Sequence, residues 1–202
     1  MIKYMLIKKY IDLFVALFLL ILLMPLLIFI SLAVLIFNGR PILFTQIRPG
    51  LNNRLFKIYK FRTMTVSKNK FETSENDYIR LNKFGKFLRS TSLDELPSLV
   101  NVIKGEMSIV GPRPLLIEYL KLYDKNQVRR HEVKPGITGL AQVCGRNKLS
   151  WEDKFAKDVY YVDNYNLVMD LKVILFTFFK VISRNGINSP GEETCKPFKG
   201  NK

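Results

Sequence analysis

Residues Leu13 to Phe37 form one apolar run, interrupted only by Ser31 and with Pro25 near its middle. As a helix rising about 1.5 Å per residue it would reach about 37 Å, more than the ~30 Å hydrocarbon core of a bilayer. Its flanks constrain its path. Lys3, Lys8 and Lys9 precede it, while Arg40, Arg48, Arg54 and Lys57 follow, and no acidic residue occurs from Leu13 to Phe71. Positive charge at both ends puts both on the cytoplasmic side. A proline inside a helix removes a hydrogen bond and clashes with the previous turn, which bends the segment. Together these features favour a kinked helix that enters one leaflet and returns over a straight span. The run is too long for a signal-peptide core and no small-residue cleavage site follows it, so residues 1–37 are expected to stay as an anchor.

Residues 38–184 suffice for one compact domain, and residues 185–202 read as a polar C-terminal tail. A formal net charge of +15 calls for an anionic partner. With a membrane anchor present, lipid headgroups and phosphorylated substrates suit it better than nucleic acid. No zinc-finger pattern, RNP motif or long Lys/Arg block occurs, so nucleic acid is not an expected partner. Cys144 and Cys195 offer neither metal spacing nor a disulfide framework, as expected in a reducing compartment. His131, the single histidine, follows Arg129 and Arg130 and reads as a solvated or packing residue.

The predicted elements are short. Pro41–Thr45 reads as a strand, Gln46–Asn53 as a turn, Leu55–Met64 as a second strand with Lys57, Lys60 and Arg62 on its accessible side, and Thr65–Asn76 as a polar loop. Asn76–Arg89 is a basic amphipathic helix suited to a membrane surface or to solvent. Leu167–Ile182 is a second helix, whose stripe of Val168, Leu171, Leu175, Phe178 and Ile182 either packs on the core or lies in the membrane interface. The expected fold is α+β and mainly helical: an N-terminal re-entrant membrane helix, then a small cytoplasmic catalytic domain with short strands and interfacial amphipathic helices.

The segment SLDELP, 92–97, carries adjacent carboxylates, Asp94 and Glu95, at an expected helix start where Pro97 is tolerated. Ser92 and Glu95 fit a capping box, which would give these groups a structural role. Capping does not explain the cations in the surrounding motifs. Lys60, Arg62, Arg89 and Arg113 could converge here, and Arg113 stands between Pro112 and Pro114 on a stiffened backbone. An Arg fork and a Lys point charge both suit phosphate. Carboxylates with phosphate-binding cations suit Mg²⁺-assisted phosphoryl transfer, in which one carboxylate attacks phosphorus. The sequence contains no G-x-x-x-x-G-K-[ST] loop, no G-x-G-x-x-G after a strand and no D-x-D triplet. These absences count against nucleotide hydrolysis, a dinucleotide fold and the metal-nucleotide site of many glycosyltransferases. A second segment, KPGITGLAQVCGRN at 134–147, brings Gly136, Gly139 and Gly145 together with Gln142, Arg146 and Asn147. It can be a nucleotide-sugar loop or simply a turn. The aromatic and acidic stretch 151–165 frames a base or sugar pocket, or packs the core.

Four segments in order, FTQIRPG (44–50), FKIYKFRTM (56–64), SLDELPSLVNVIKGEMSIVGPRP (92–114) and KPGITGLAQVCGRN, resemble the bacterial sugar transferases, the monotopic phosphoglycosyl transferases. The size and the closing PFKGNK are similar to the minimal members, the group of the undecaprenyl-phosphate bacillosamine-phosphate transferase. Three positions depart from the family pattern: Met24 stands where Ser often precedes the proline, Arg62 where Lys is common, and Cys144 where Asn is frequent. The resemblance implies a re-entrant helix at the cytoplasmic face of the bacterial inner membrane, membrane lipid and a UDP-sugar as partners, and a polyprenol phosphate, undecaprenyl phosphate, as acceptor. By resemblance Asp94 is the nucleophile that expels UMP and forms a covalent phosphosugar. Glu95 assists with Mg²⁺ or protons, and Arg113, Lys60 and Arg89 hold phosphate. Two readings from other classes are a non-catalytic module binding anionic lipid, which would release no UMP, and a glycosyltransferase, which would release UDP.

Overall fold

The computed structural model describes residues 2–65, 80–145, 149–183 and 197–200. Most of the loop expected after Thr65, together with Arg146 and Asn147, lies outside the described residues.

The apolar run is two helices, α1 (Ile2–Leu22) and α2 (Met24–Asn38), whose axes differ by 65°. Pro25 lies in the first turn of α2, where its missing N–H removes no intrahelical bond. Leu23 is the corner: its N–H closes α1 on the Leu19 carbonyl (2.9 Å), and its own carbonyl accepts the Leu27 N–H of α2 (2.8 Å). Among the described residues no single helix is long and apolar enough to cross a membrane.

Each helix packs one face on the residues that follow. Ala16 of α1 packs with Phe56, Ile58, Leu99, Val102 and Met107, while Ile30 and Val34 of α2 pack with Phe61 and Leu88. The outer faces are bare, with Phe14, Ile21, Phe29 and Ile36 each at least 68% exposed. Tyr4, Lys8 and Asp12 recur every four residues along α1 and so share one side. That side enters a buried polar cluster. Tyr4 donates to Asp170 (2.6 Å), Lys8 pairs with Asp170, and Asp12 accepts from Ser108 Oγ (2.7 Å) and the Ile109 N–H (3.2 Å). Tyr161 donates to the other Asp170 oxygen (2.7 Å).

Strands β1 (Leu43–Pro49) and β2 (Leu55–Phe61) form an antiparallel pair in register from Leu43 opposite Phe61 to Pro49 opposite Leu55. The turn expected from Gln46 therefore starts only after Pro49, because β2 offers a partner for every residue up to it. The reversal itself is the single turn Leu51–Asn53, with Asn52 and Asn53 at positive φ. Helix α3 (Lys83–Thr91) is capped by Asn82, whose side chain accepts the Gly85 N–H (2.7 Å). The SLDELP segment is a 3₁₀ turn, Leu93–Ser98, continuing into the short α4 (Leu99–Ile103). A parallel pair follows, β3 (Ser108–Val110) with β4 (Gly136–Thr138), then α5 (Leu140–Cys144), α6 (Trp151–Asn164) and α7 (Leu167–Ser183).

The stripe expected on helix α7 does not pack on the core. Val168, Leu171, Leu175 and Phe178 all face outward, between 54% and 61% exposed, while Asp170 and Val173 face the interior. The C-terminal tail is not wholly detached either. Phe198 is buried among Tyr119, Phe155, Trp151 and Tyr123, and its N–H donates to the Tyr119 hydroxyl (3.1 Å).

Candidate active site

The dyad is positioned by side chains that complete the edge of β2. Asn101 of α4 accepts the Tyr59 N–H (3.1 Å) and donates to the Lys57 carbonyl (2.7 Å), and Ser98 donates to the Tyr59 carbonyl (2.8 Å). Ser98 and Asn101 thus serve β2 as a neighbouring strand would. This holds the turn carrying Asp94 and Glu95 beside Lys60.

The expected capping box does not form. Ser92 adopts the left-handed conformation (φ 57°) and makes no side-chain cap, and Glu95 is turned toward cations instead. Lys60 Nζ lies 2.6 Å from Glu95 Oε1, and Arg113 reaches both carboxylate oxygens, at 2.8 Å and 3.4 Å. Burial opposes the Glu95 charge, but Arg113 and Lys60 more than offset it and hold the carboxyl well below its usual range. Asp94 is treated differently. Among the described residues, no donor hydrogen-bonds to its carboxylate, although the residue is only 9% exposed. Burial, reinforced by the Glu95 charge, pushes Asp94 up to about 6, against the pull of Lys60, Arg113 and Arg89. The adjacent carboxylates are therefore one cation-locked group and one uncommitted group.

Arg89, on α3, donates through Nε to Thr63 Oγ1 (3.0 Å) and lies close enough to Asp94 to favour its ionised form. Arg62 is placed elsewhere: it donates to the Arg40 carbonyl (3.0 Å), and burial followed by the Arg80 charge works against its own. A cavity of about 110 Å³ opens beside Glu95, lined also by Arg48, Lys60, Arg113 and Ile137, with Asp94 outside its lining. It is smaller than the ~300 Å³ of an ordinary ligand pocket and accommodates a phosphate-sized group. Arg48 was legible in the sequence only as a flanking charge. Alternation along β1 puts it on the same face as Gln46, whose Oε1 accepts from its Nη2 (2.6 Å). Burial and the Arg113 charge both work against its own charge.

The glycines of the segment at 134–147 have a packing role. A Cβ on Gly136 would come within 2.1 Å of the Gly111 nitrogen, and one on Gly139 within 2.2 Å of the Gly111 oxygen. These glycines let β4 lie against the backbone that leads into Pro112–Arg113–Pro114. Gln142 braces the same corner, donating to the Ile137 carbonyl (3.0 Å). His131 is buried, with Nδ1 3.2 Å from the Gly50 carbonyl, and burial followed by the Arg130 charge lowers it to about 4. It is therefore a neutral packing group at pH 7, as expected.

Residues 3–184 match the family described as bacterial sugar transferase. The chain belongs to this family. The uncharacterized sugar transferase EpsL of Bacillus subtilis is 47% identical over 97% of both chains. The UDP-glucose:undecaprenyl-phosphate glucose-1-phosphate transferase of Klebsiella pneumoniae is 42% identical over 87% of this transferase, which spans only 40% of the Klebsiella protein. The exopolysaccharide production protein ExoY of Sinorhizobium fredii is 36% identical, over 89% of this transferase and 87% of its own length.

Proposed function

We propose that this transferase moves a sugar-1-phosphate from a UDP-sugar to a polyprenol phosphate, with undecaprenyl phosphate as the acceptor and UMP as the by-product. The Klebsiella relative is named for such a transfer. The observation that carries the reading is the unequal dyad: Glu95 is committed to Lys60 and Arg113, while the Asp94 carboxylate accepts no hydrogen bond among the described residues. An Asp94 oxygen attacks the phosphorus bearing the sugar. The bond from that phosphorus to the bridging oxygen breaks, and UMP leaves with the electron pair. A phosphate oxygen of the acceptor then attacks the same phosphorus, which frees Asp94 and leaves the sugar on a polyprenyl diphosphate.

Lys60, Arg113 and Arg48 share the cavity and would hold the phosphates, while Arg89 favours the anionic nucleophile. Mg²⁺ typically takes one or two carboxylates alongside substrate phosphates; Asp94 offers it uncommitted oxygens, and Glu95 would join only by releasing Arg113 or Lys60. When bound there, the ion would neutralise diphosphate charge that otherwise repels a carboxylate. The bent helix pair and the bare outer face of α7 support a protein seated on the cytoplasmic face of the bacterial inner membrane, with α1 and α2 dipping into one leaflet.

Incubation with Mg²⁺, undecaprenyl phosphate and a panel of UDP-hexoses should release UMP. Without acceptor, intact-mass analysis should show a phosphosugar adduct mapping to Asp94. Release of UDP instead, or an adduct on another residue, would overturn the mechanism. For topology, cysteines placed at the exposed Lys9 and Arg40, with Cys144 and Cys195 changed to Ser, should both label only from the cytoplasm.

A further inference from the structure

Arg130 and Asp158 have no part in the transfer as proposed, yet both are almost fully buried, with side chains 2% and 5% exposed. Arg130 donates through Nε (3.0 Å) and Nη2 (2.7 Å) to one Asp158 oxygen, and through Nη1 to the Tyr123 hydroxyl (3.2 Å). The rings of Tyr123 and Phe155 lie 5.8 Å and 5.7 Å from the guanidinium carbon. Nη2 also donates to the backbone carbonyl of Arg113, at 2.7 Å. Burying an ion pair is a poor way to gain stability, since apolar residues of similar volume do as well or better. The pair therefore invites a reason in the site, and its bond to Arg113 supplies one.

The Pro-Arg-Pro segment has few other anchors. Pro112 and Pro114 lack N–H groups, so the segment is fastened through its carbonyls: Pro112 to the Gly136 N–H (3.0 Å) and Arg113 to Arg130. We infer that Arg130, held by Asp158, is a positioning residue that fixes the backbone of Arg113 and so aims its guanidinium at Glu95 and the phosphate cavity. The inference rests on the proposed phosphate-binding role of Arg113.

The test uses the full-length chain in detergent or nanodiscs, with undecaprenyl phosphate and the UDP-hexose that supports wild-type UMP release. Replacing the pair together, as Arg130→Met with Asp158→Leu, removes both charges at similar total volume and so keeps the fold. Small misplacements at a reacting centre can cost about a hundredfold, so kcat/KM for the UDP-hexose should fall at least ~10-fold with thermal stability kept. Made in an Arg113→Lys background, the same swap should cost less than about twofold more, because residues acting through one another are not additive. Wild-type kinetics in the folded swap, or an undiminished loss in the Arg113→Lys background, would overturn the inference. Should the swap not fold, Arg130→Lys keeps the charge facing Asp158 while losing the arm to the Arg113 carbonyl, and it is judged by the same two criteria. A defective Arg113→Lys beside a fully active swap removes only the positioning role. Wild-type kinetics in Arg113→Lys alone removes the phosphate-binding role, and the inference with it.

Discussion

Two carboxylates buried side by side repel each other and lose hydration, and the cations here offset that cost mainly for Glu95. Asp94 stays near 6, above the ordinary 3.8, so its ionised form costs the fold stability at pH 7. The cost is absent below the unfolded value and develops as pH rises through the folded one. Asp94→Asn should therefore raise the melting temperature at pH 7, by roughly 1–3 kcal/mol of stability, with the gain vanishing near pH 3.5. A melting temperature unchanged or lowered at pH 7 would contradict the buried-charge account. The same carboxyl sets a second expectation: the rate of acceptor-free adduct formation should drop about tenfold per pH unit well below 6. Arg48→Ala should reduce UMP release by more than about tenfold while leaving thermal stability intact, because it removes a charge that the folded state holds at a cost. A rise in KM for the UDP-sugar would place Arg48 on the donor, and a rise for undecaprenyl phosphate on the acceptor. The dyad, Lys60 and Arg113 could be proposed from the sequence because their residue types state their chemistry. Glu95's partners could not be, since Ser92-x-x-Glu95 also spells a capping box, and only the left-handed Ser92 shows that it is not one.

At the level of elements, what decides the site is backbone in close contact with backbone. The β3–β4 pairing and the glycines at 111, 136 and 139 form an interlock with no room for a methyl group. Gly136→Ala should thus cost about 1–3 kcal/mol and displace Arg113, lowering activity more than stability alone explains. Thermal unfolding and UMP release measured on one preparation would check both. Composition marks these residues as turn formers, and it cannot show how closely a neighbouring backbone approaches them. The helices were more legible, since α7 follows from its hydrophobic period and α1 with α2 from length and Pro25. Which side of α7 is buried was not legible, because both sides are apolar and Asp170 alone marks the inner one. Phe198 eluded sequence reading because a single aromatic in a polar tail has no period to betray it. Phe198→Ala should cost about 3–5 kcal/mol, seen as a lowered melting temperature, since it empties the middle of an aromatic cluster.

Across the whole molecule, apolar surface lies on the outer sides of α1, α2 and α7. If these together meet lipid, Leu171→Lys with Phe178→Glu should make α7 on liposomes more accessible to a water-soluble thiol label at a cysteine placed at Val168, with the chain still floating and its melting temperature unchanged. Unchanged labelling would leave α1 and α2 as the whole attachment. The polar cluster at the base of α1 bears on how such a molecule is made. Lys8 and Asp170 are 162 residues apart, so Lys8 emerges from the ribosome with Asp12 as its near partner long before Asp170 exists. At about 5–20 residues per second that interval is roughly 8–30 s. If the N-terminal hairpin enters a bilayer as proposed, through all of that interval it would hold its place by hydrophobicity alone, with Tyr4, Lys8 and Asp12 still wet. The arrival of α7 then works as a late latch, and a nascent chain stalled before residue 170 should leave its first helix open to protease.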